Sequence, residues 1–228
     1  MTPANHLDCE QGSQMWAELR CGIVTASRTR DAFNTTSKGV YTAERAKYQA
    51  EIVCEILTGQ PYPHHVTKEM EWGRDQESFA RAGYEMERDV LVETCGFVLH
   101  PVIPRFGASP DGLVGSDGLI QIKCPTTATH LSWLRAGTVP LEHTFQMTAE
   151  MACTARDWCD FVSFDPRMPE HLQLFVRRYD RNEKAIQSLE AEVEHFNREI
   201  DEIIAALPGK PQGVVLSMDQ PNDDEVQF

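Results

Sequence analysis

Two oxygen-bearing side chains and one ammonium group sit close together between Ser109 and Lys123. Asp111 belongs to Ser109-Pro110-Asp111-Gly112; Gln121 and Lys123 belong to Ile120-Gln121-Ile122-Lys123. Side chains alternate along a strand, so Gln121 and Lys123 share one face while Ile120 and Ile122 take the other. A hairpin between the two pieces brings Asp111 to Gln121. Two side-chain oxygens and the Ile122 carbonyl then make a hard-donor set suited to Mg²⁺ or Mn²⁺. A cation there offsets charge on a phosphate and acidifies a bound water. Lys123 can orient that water or neutralise developing charge.

The elements that position these groups follow from periodicity and breakers. Gly112-Leu113-Val114-Gly115 and Gly118–Lys123 flank Ser116-Asp117 as a hairpin, and Cys124-Pro125 ends its second strand. Val90–Thr94 and Phe97–Leu99 are further strand-prone runs on either side of Cys95-Gly96. Trp158–Phe164 and His171–Arg177 are two more, around Asp165-Pro166. Upstream, Gln14 to Arg30 reads as a short helix, a turn at Cys21-Gly22 and a second helix capped by Thr25 or Ser27. Thr42 caps a helix to Leu57, ended by Thr58-Gly59. A helix from Lys68 to Met86 has Met70, Phe79 and Tyr84 as candidate buried positions. Helices resume at Ala128–Ala136 and Glu142–Cys153. The last one carries an apolar stripe of Ile186, Leu189, Val193, Phe196, Ile200 and Ile203. Helices before and after a central run of strands predict a mixed α/β domain over residues 1–208. Residues 209–228 read as a flexible acidic tail.

Bulk composition narrows the class. The 228 residues are 41% hydrophobic and 25% charged, as in ordinary globular domains. No apolar run is long enough for a membrane span, and the N-terminus lacks a signal-peptide pattern. Seven cysteines without a Cys-x-x-Cys pair fit neither a disulfide framework nor a zinc ribbon, and read mostly as small core residues. The eight histidines show no ligand spacing; His64-His65 reads as loop, and Trp16, Trp72, Trp133 and Trp158 as packing residues. A net charge of −14 excludes a surface that grips nucleic acid all over, but not a basic cleft or channel. From Arg20 to Lys47 six basic residues face two acidic ones.

Taken singly, Asp111 is a turn residue and Lys123 an exposed strand lysine. Together with other blocks, they resemble the PD-(D/E)xK nuclease motif, in the form found in the lambda-exonuclease (YqaJ-like) viral recombination nucleases. The blocks are Trp16-Ala17-Glu18-Leu19-Arg20 with Thr25-Ala26-Ser27; Glu71–Glu77; Ser109–Pro125; Gln146 with Thr148; and Phe164-Asp165-Pro166-Arg167-Met168. The resemblance implies a restriction-endonuclease-like core, with a central mixed sheet flanked by helices. It implies Asp111, the position-121 side chain and the Ile122 carbonyl as metal ligands, and Lys123 as activator of the attacking water. Glu77 assists through water, and Gln146 or Thr148 holds the nucleophile or a phosphate. Arg20, Ser27 and Ser109 bind a 5′-phosphate, and Met70 is a wedge at the terminal base pair. It further implies a homotrimeric ring threading linear double-stranded DNA, a single-strand annealing protein as partner, and a phage or prophage protein of the bacterial cytoplasm.

One position departs from the family: Gln121 stands where a carboxylate is usual. An amide oxygen brings no charge, so divalent binding weakens and hydrolysis slows. Either Gln121 is a near-isosteric replacement of Glu that traps substrate, or the chain is natural with altered activity; the intact neighbours favour the first. Three readings follow: a 5′→3′ double-strand exonuclease, an endonuclease of the same superfamily, and a DNA-end-binding module that does not cut.

Overall fold

The structure is a computed structural model that describes residues 5–35, 40–63 and 66–208. In chain order its elements are β1 (His6–Leu7), α1 (Gln14–Leu19), β2 (Val24–Thr25), α2 (Thr29–Phe33), α3 (Ala43–Thr58) and α4 (Lys68–Arg88). There follow β3 (Val92–Glu93), β4 (Phe97–Leu99), β5 (Phe106–Ala108), β6 (Gly112–Val114) and β7 (Gly118–Lys123). The chain closes with α5 (Thr127–Ala136), α6 (Leu141–Thr154), β8 (Trp158–Phe164), β9 (Leu174–Asp180) and α7 (Glu183–Ala206). The tail beyond residue 208 and His64-His65 lie outside the described residues.

Helix boundaries follow capping chemistry. The Thr42 hydroxyl accepts from the Arg45 amide to start α3, and Gly59 ends it at φ +65°. Thr67 caps α4 in the same way, with Glu69 and Glu71 in its first turn. In the N-terminal segment Val24-Thr25 pairs in parallel with Phe106-Gly107. Thr25 then takes the N-cap position of a short 3-10 turn, Ala26–Arg28, without a side-chain cap hydrogen bond, and helix α2 follows from Thr29. Ser27 lies inside that turn and caps nothing. His171 lies in a 3-10 turn, and the strand after it runs from Leu174 to Asp180.

The mixed sheet resolves into two. One has the order β1-β4-β5-β2; the other, β3-β6-β7-β8-β9, carries the chemistry. The β6–β7 hairpin pairs Gly112 with Ile120, so Asp111 enters opposite Gln121. β7 and β8 run parallel, joined through α5 and α6. Gln146 near the start of α6 meets Lys123 at the end of β7, while Met151 near its end meets Arg181 beside the start of β8, so α6 runs antiparallel to both strands.

Both faces of this sheet are covered. Ile120, Ile122, Val162 and Val176 pack against Ala80 and Tyr84 of α4. Leu119, Phe161 and Phe175 pack against Met147 and Met151 of α6. α6 therefore lies over the polar face of β7; Gln121 is only 1% exposed, and Lys123 at its end stays partly exposed. A third cluster joins the smaller sheet to α3, α6 and the α7 stripe of Leu189, Val193, Phe196 and Ile200. Ile203 lies past the covered part and is exposed. Met70 (54% exposed) and Phe79 (61%) are likewise at the surface, so Tyr84 alone of the three α4 candidates is core. Of the cysteines, all free, Cys153 and Cys159 are buried, Cys54 is exposed and the rest are intermediate.

His143 shows how tightly the α6 side is packed. Its ring stacks on Phe161 at 5.3 Å and meets Trp133 edge-on, and its Nε2 is buried without a partner. Burial first, then the Lys123 charge, lowers its pKa to about 4. The unfolded chain takes up this proton near pH 6.5 and the folded protein does not, so stability is full above pH 6.5 and falls as pH drops toward 4. Thermal melts at pH 7 and pH 5 are expected to differ by on the order of 1–3 kcal/mol from this group. His143→Phe should flatten that difference; an unchanged pH slope would remove His143 as its source.

Candidate active site

Asp111 sits at the mouth of the β6–β7 hairpin with its carboxylate turned in toward β7. Its Oδ2 accepts from the Ile122 amide at 2.6 Å and from the Gln121 side-chain NH₂. The same NH₂ group lies 3.4 Å from the Ile122 carbonyl oxygen. The amide nitrogen thus stands between the two oxygens expected to share a cation. The other end of the amide, Gln121 Oε1, is buried and has no hydrogen-bond partner. Burial raises the Asp111 pKa to about 6; Lys123 opposes that shift, Glu77 adds to it, and the Ile122 amide and Arg81 oppose it.

Lys123 and Gln146 meet: Lys123 Nζ donates to Gln146 Oε1 at 3.3 Å. Gln146 in turn donates to Glu150 Oε1 at 2.9 Å, one helical turn further on. Thr148 is not part of this group. It stands about 200° around the helix from Gln146, and its hydroxyl lies 3.3 Å from the Tyr179 hydroxyl.

Glu77 reaches the site through a residue that the sequence reading passed over. Arg81 NH2 donates both to Glu77 Oε1 (2.8 Å) and to the Asp111 carbonyl (3.0 Å). The Glu-x-x-x-Arg spacing was the available signal. A cleft of about 410 Å³ opens on this side, with Gln11, Glu77, Arg81 and Asp111 in its wall.

Arg20 and Ser109 are brought together by Trp16. The Arg20 guanidinium lies 3.7 Å from the Trp16 ring centroid, and the indole N–H donates to Ser109 Oγ at 2.8 Å. Trp16 is therefore part of this cluster and not packing alone. Burial lowers the Arg20 pKa to about 10, partly offset by Tyr48 and Glu55, so the cation persists at neutral pH. Of the described basic residues between 20 and 47, Arg28, Arg45 and Lys47 are ion-paired with acids, while Arg20 and Arg30 are not. Ser27 is exposed, 3.4 Å from the Thr25 hydroxyl, and does not touch Arg20 or Ser109 among the hydrogen bonds of the described residues. Met70 projects from the first turn of α4.

Among the described residues, no three His, Cys, Asp or Glu side chains converge on one point. With an amide at position 121, and Glu77 engaged by Arg81, the oxygen donors are instead Asp111, Gln121 Oε1 and a backbone carbonyl. They fit a hard cation by type, and the unpartnered Gln121 Oε1 is an acceptor still lacking a positive partner.

A sequence model of the YqaJ-like viral recombinase domain matches residues 15–157, more than half of the chain. The chain belongs to the YqaJ-like viral recombinase family. Among solved structures it is similar to LHK-Exo in complex with dAMP, at 41% identity and TM-score 0.79, over 85% of this chain and 95% of that one. It is equally similar to the alkaline exonuclease LHK-Exo from Laribacter hongkongensis, at 42% identity and TM-score 0.78 over the same shares. A phage-related exonuclease from Haemophilus somnus 129PT shares the fold at 16% identity and TM-score 0.61, over 80% of this chain and 95% of that one. No curated protein sequence matches the chain. The core is the restriction-endonuclease-like fold expected for the family, and among the described residues no helix is long and apolar enough to cross a membrane.

Proposed function

We propose that the chain is a Mg²⁺- or Mn²⁺-dependent exonuclease that degrades the 5′-ended strand of linear duplex DNA and leaves a 3′ single strand for phage-type recombination. The observation that carries this reading is the convergence of Asp111, position 121, the Ile122 carbonyl and Lys123, with Gln146 behind it, in a chain 41% identical to an alkaline exonuclease. The cation, when bound, offsets phosphate charge and acidifies water. Asp111 and the Ile122 carbonyl would hold it; Gln121 would contribute its oxygen after the amide turns over. Lys123, kept in place by Gln146, orients the attacking water and neutralises charge as the phosphodiester opens. Glu77 and Arg81 border the cleft through which the strand arrives.

The deciding experiment uses the Gln121→Glu variant with Mg²⁺ on 5′-phosphorylated linear duplex and on covalently closed circles. Linear DNA should be converted to single strands and circles spared. Cutting of circles would favour an endonuclease, and absence of any cutting a DNA-end-binding module.

Arg20, with Ser109 beside it, is the proposed receptor for the 5′-phosphate, since its forked donors carry no paired carboxylate. Ser27 and Met70 are proposed to contact the same strand end from outside this cluster. A hydrogen bond to a charged group is worth about 1.5–3 kcal/mol. Arg20→Ala should therefore weaken binding of 5′-phosphorylated ends about 10- to 150-fold and leave 5′-hydroxyl ends nearly unaffected. Equal losses on both ends would assign Arg20 a structural role.

We also propose a homotrimeric ring, a single-strand annealing protein as partner, and action in the cytoplasm of a bacterial host on behalf of a phage or prophage. The largely exposed Met86, Leu91, Val102 and Leu141 support an assembly that covers apolar surface. A ring also accommodates the −14 net charge, with acids outside and cations toward the DNA. Light scattering showing a monomer at all concentrations would exclude it.

A further inference from the structure

We propose that Glu150 of α6 supplies the second carboxylate of the metal site, in place of the side chain at position 121. The inference rests on the metal-site reading of Asp111 and extends it to a residue outside the family motif blocks.

Register puts Glu150 in place. Lys123 Nζ meets Gln146 at 3.3 Å, which fixes where β7 and α6 cross. α6 runs antiparallel to β7, so moving back two residues on the strand parallels moving forward four on the helix. Two strand residues span about 6.8 Å and four helical residues about 6 Å. Glu150 therefore stands over Gln121 as Gln146 stands over Lys123.

Unsatisfied chemistry points the same way. Glu150 is 0% exposed. One of its oxygens accepts from Gln146, and the other, Oε2, is buried without a hydrogen-bond partner. No basic side chain forms an ion pair with it among the described residues. A buried carboxylate without a cation is costly, and the usual remedies are a proton, a basic partner or a metal. Burial, and next the charge of Asp111, push the Glu150 carboxyl well above the usual carboxylate range. A divalent cation held by Asp111 and Glu150 would turn both of these penalties into attraction. Gln121 Oε1 is the second unpartnered buried oxygen on this face. Glu77, the other acid near Asp111, is already held by Arg81 and is half-buried at the cleft. The donor set is then two carboxylates, one amide oxygen and one backbone carbonyl, all hard oxygens.

The test is Mn²⁺ binding by calorimetry, with melting temperature measured in EDTA and in Mn²⁺. The unaltered chain should bind Mn²⁺ and melt higher in its presence. Asp111→Asn and Glu150→Gln should each weaken binding at least tenfold, and Glu150→Gln should melt no lower than the parent in EDTA, because it removes a buried charge. Adding Gln121→Glu to Glu150→Gln should restore binding, which no merely structural role for Glu150 would allow. Mn²⁺ affinity unchanged by Glu150→Gln, no restoration by Gln121→Glu, or no Mn²⁺ binding by the parent would overturn the proposal. Loss in Asp111→Asn with none in Glu150→Gln would defeat this inference alone; retention in Asp111→Asn would defeat the metal-site reading on which it rests.

Discussion

Gln121→Glu is expected to raise the rate of Mg²⁺-dependent hydrolysis of linear duplex DNA by about 10²–10³-fold, the range for one preorganised electrostatic group at a reacting centre. The side-chain NH₂ of Gln121 now donates to Asp111 and lies 3.4 Å from the Ile122 carbonyl. It occupies the place of a cation with a neutral donor. For a metal to enter, that donor must turn away and give up a hydrogen bond to a charged group, worth about 1.5–3 kcal/mol. The amide oxygen that replaces it adds no charge. Glutamate removes both handicaps at almost the same volume. The cost appears without metal: the variant adds a buried carboxyl group against the Asp111 carboxylate, so it should melt lower than the parent in EDTA and gain more from Mg²⁺. Single-turnover rates on 5′-phosphorylated duplex, with melts in EDTA and Mg²⁺, check both halves. A rate within threefold of the parent would mean that position 121 does not limit the reaction.

Phe161→Ala is expected to destabilise the fold by about 3–5 kcal/mol. Phe161 is fully buried, pairs in register with Gln121, and packs against Trp133, His143 and Phe175. Its ring holds the α5–α6 layer on the sheet, and thus holds Gln146 and Glu150 over β7. For a domain of this size, about 2–4 °C is lost per kcal/mol, so the melting temperature should fall by roughly 6–20 °C. Catalysis should suffer beyond the loss of folded protein, because the Lys123–Gln146 contact depends on that layer. Chemical denaturation gives the free energy; a change below 1 kcal/mol would show that the layer is held elsewhere.

The hairpin, the α3, α4 and α7 helices and the Asp111–Lys123 core of the site were legible because each rests on local rules. Alternation sets the faces of β7, Thr42 caps α3, and a 3.6-residue stripe marks α7. The short strands were less so: Val24-Thr25 becomes β2 only because Phe106-Gly107 lies beside it. Met70 and Phe79 looked like core by type, yet the face of α4 that packs on the sheet is the one bearing Ala80 and Tyr84. A 21-residue helix offers several apolar spacings, and only the partner surface selects among them.

By itself the sequence determined that an aspartate, the position-121 side chain and a lysine would gather on one hairpin, since strand pleat and turn chemistry act within a dozen residues. Tertiary structure alone decided what else joins them. Trp16, bonded to Ser109 more than ninety residues on, links it to Arg20, Arg81 ties Glu77 to Asp111, and Thr148 turns away to Tyr179. Glu150 enters the neighbourhood through Gln146, which bonds to it and to Lys123. Those relations depend on the docking of whole elements, which buried area and crossing direction set and no local spacing encodes.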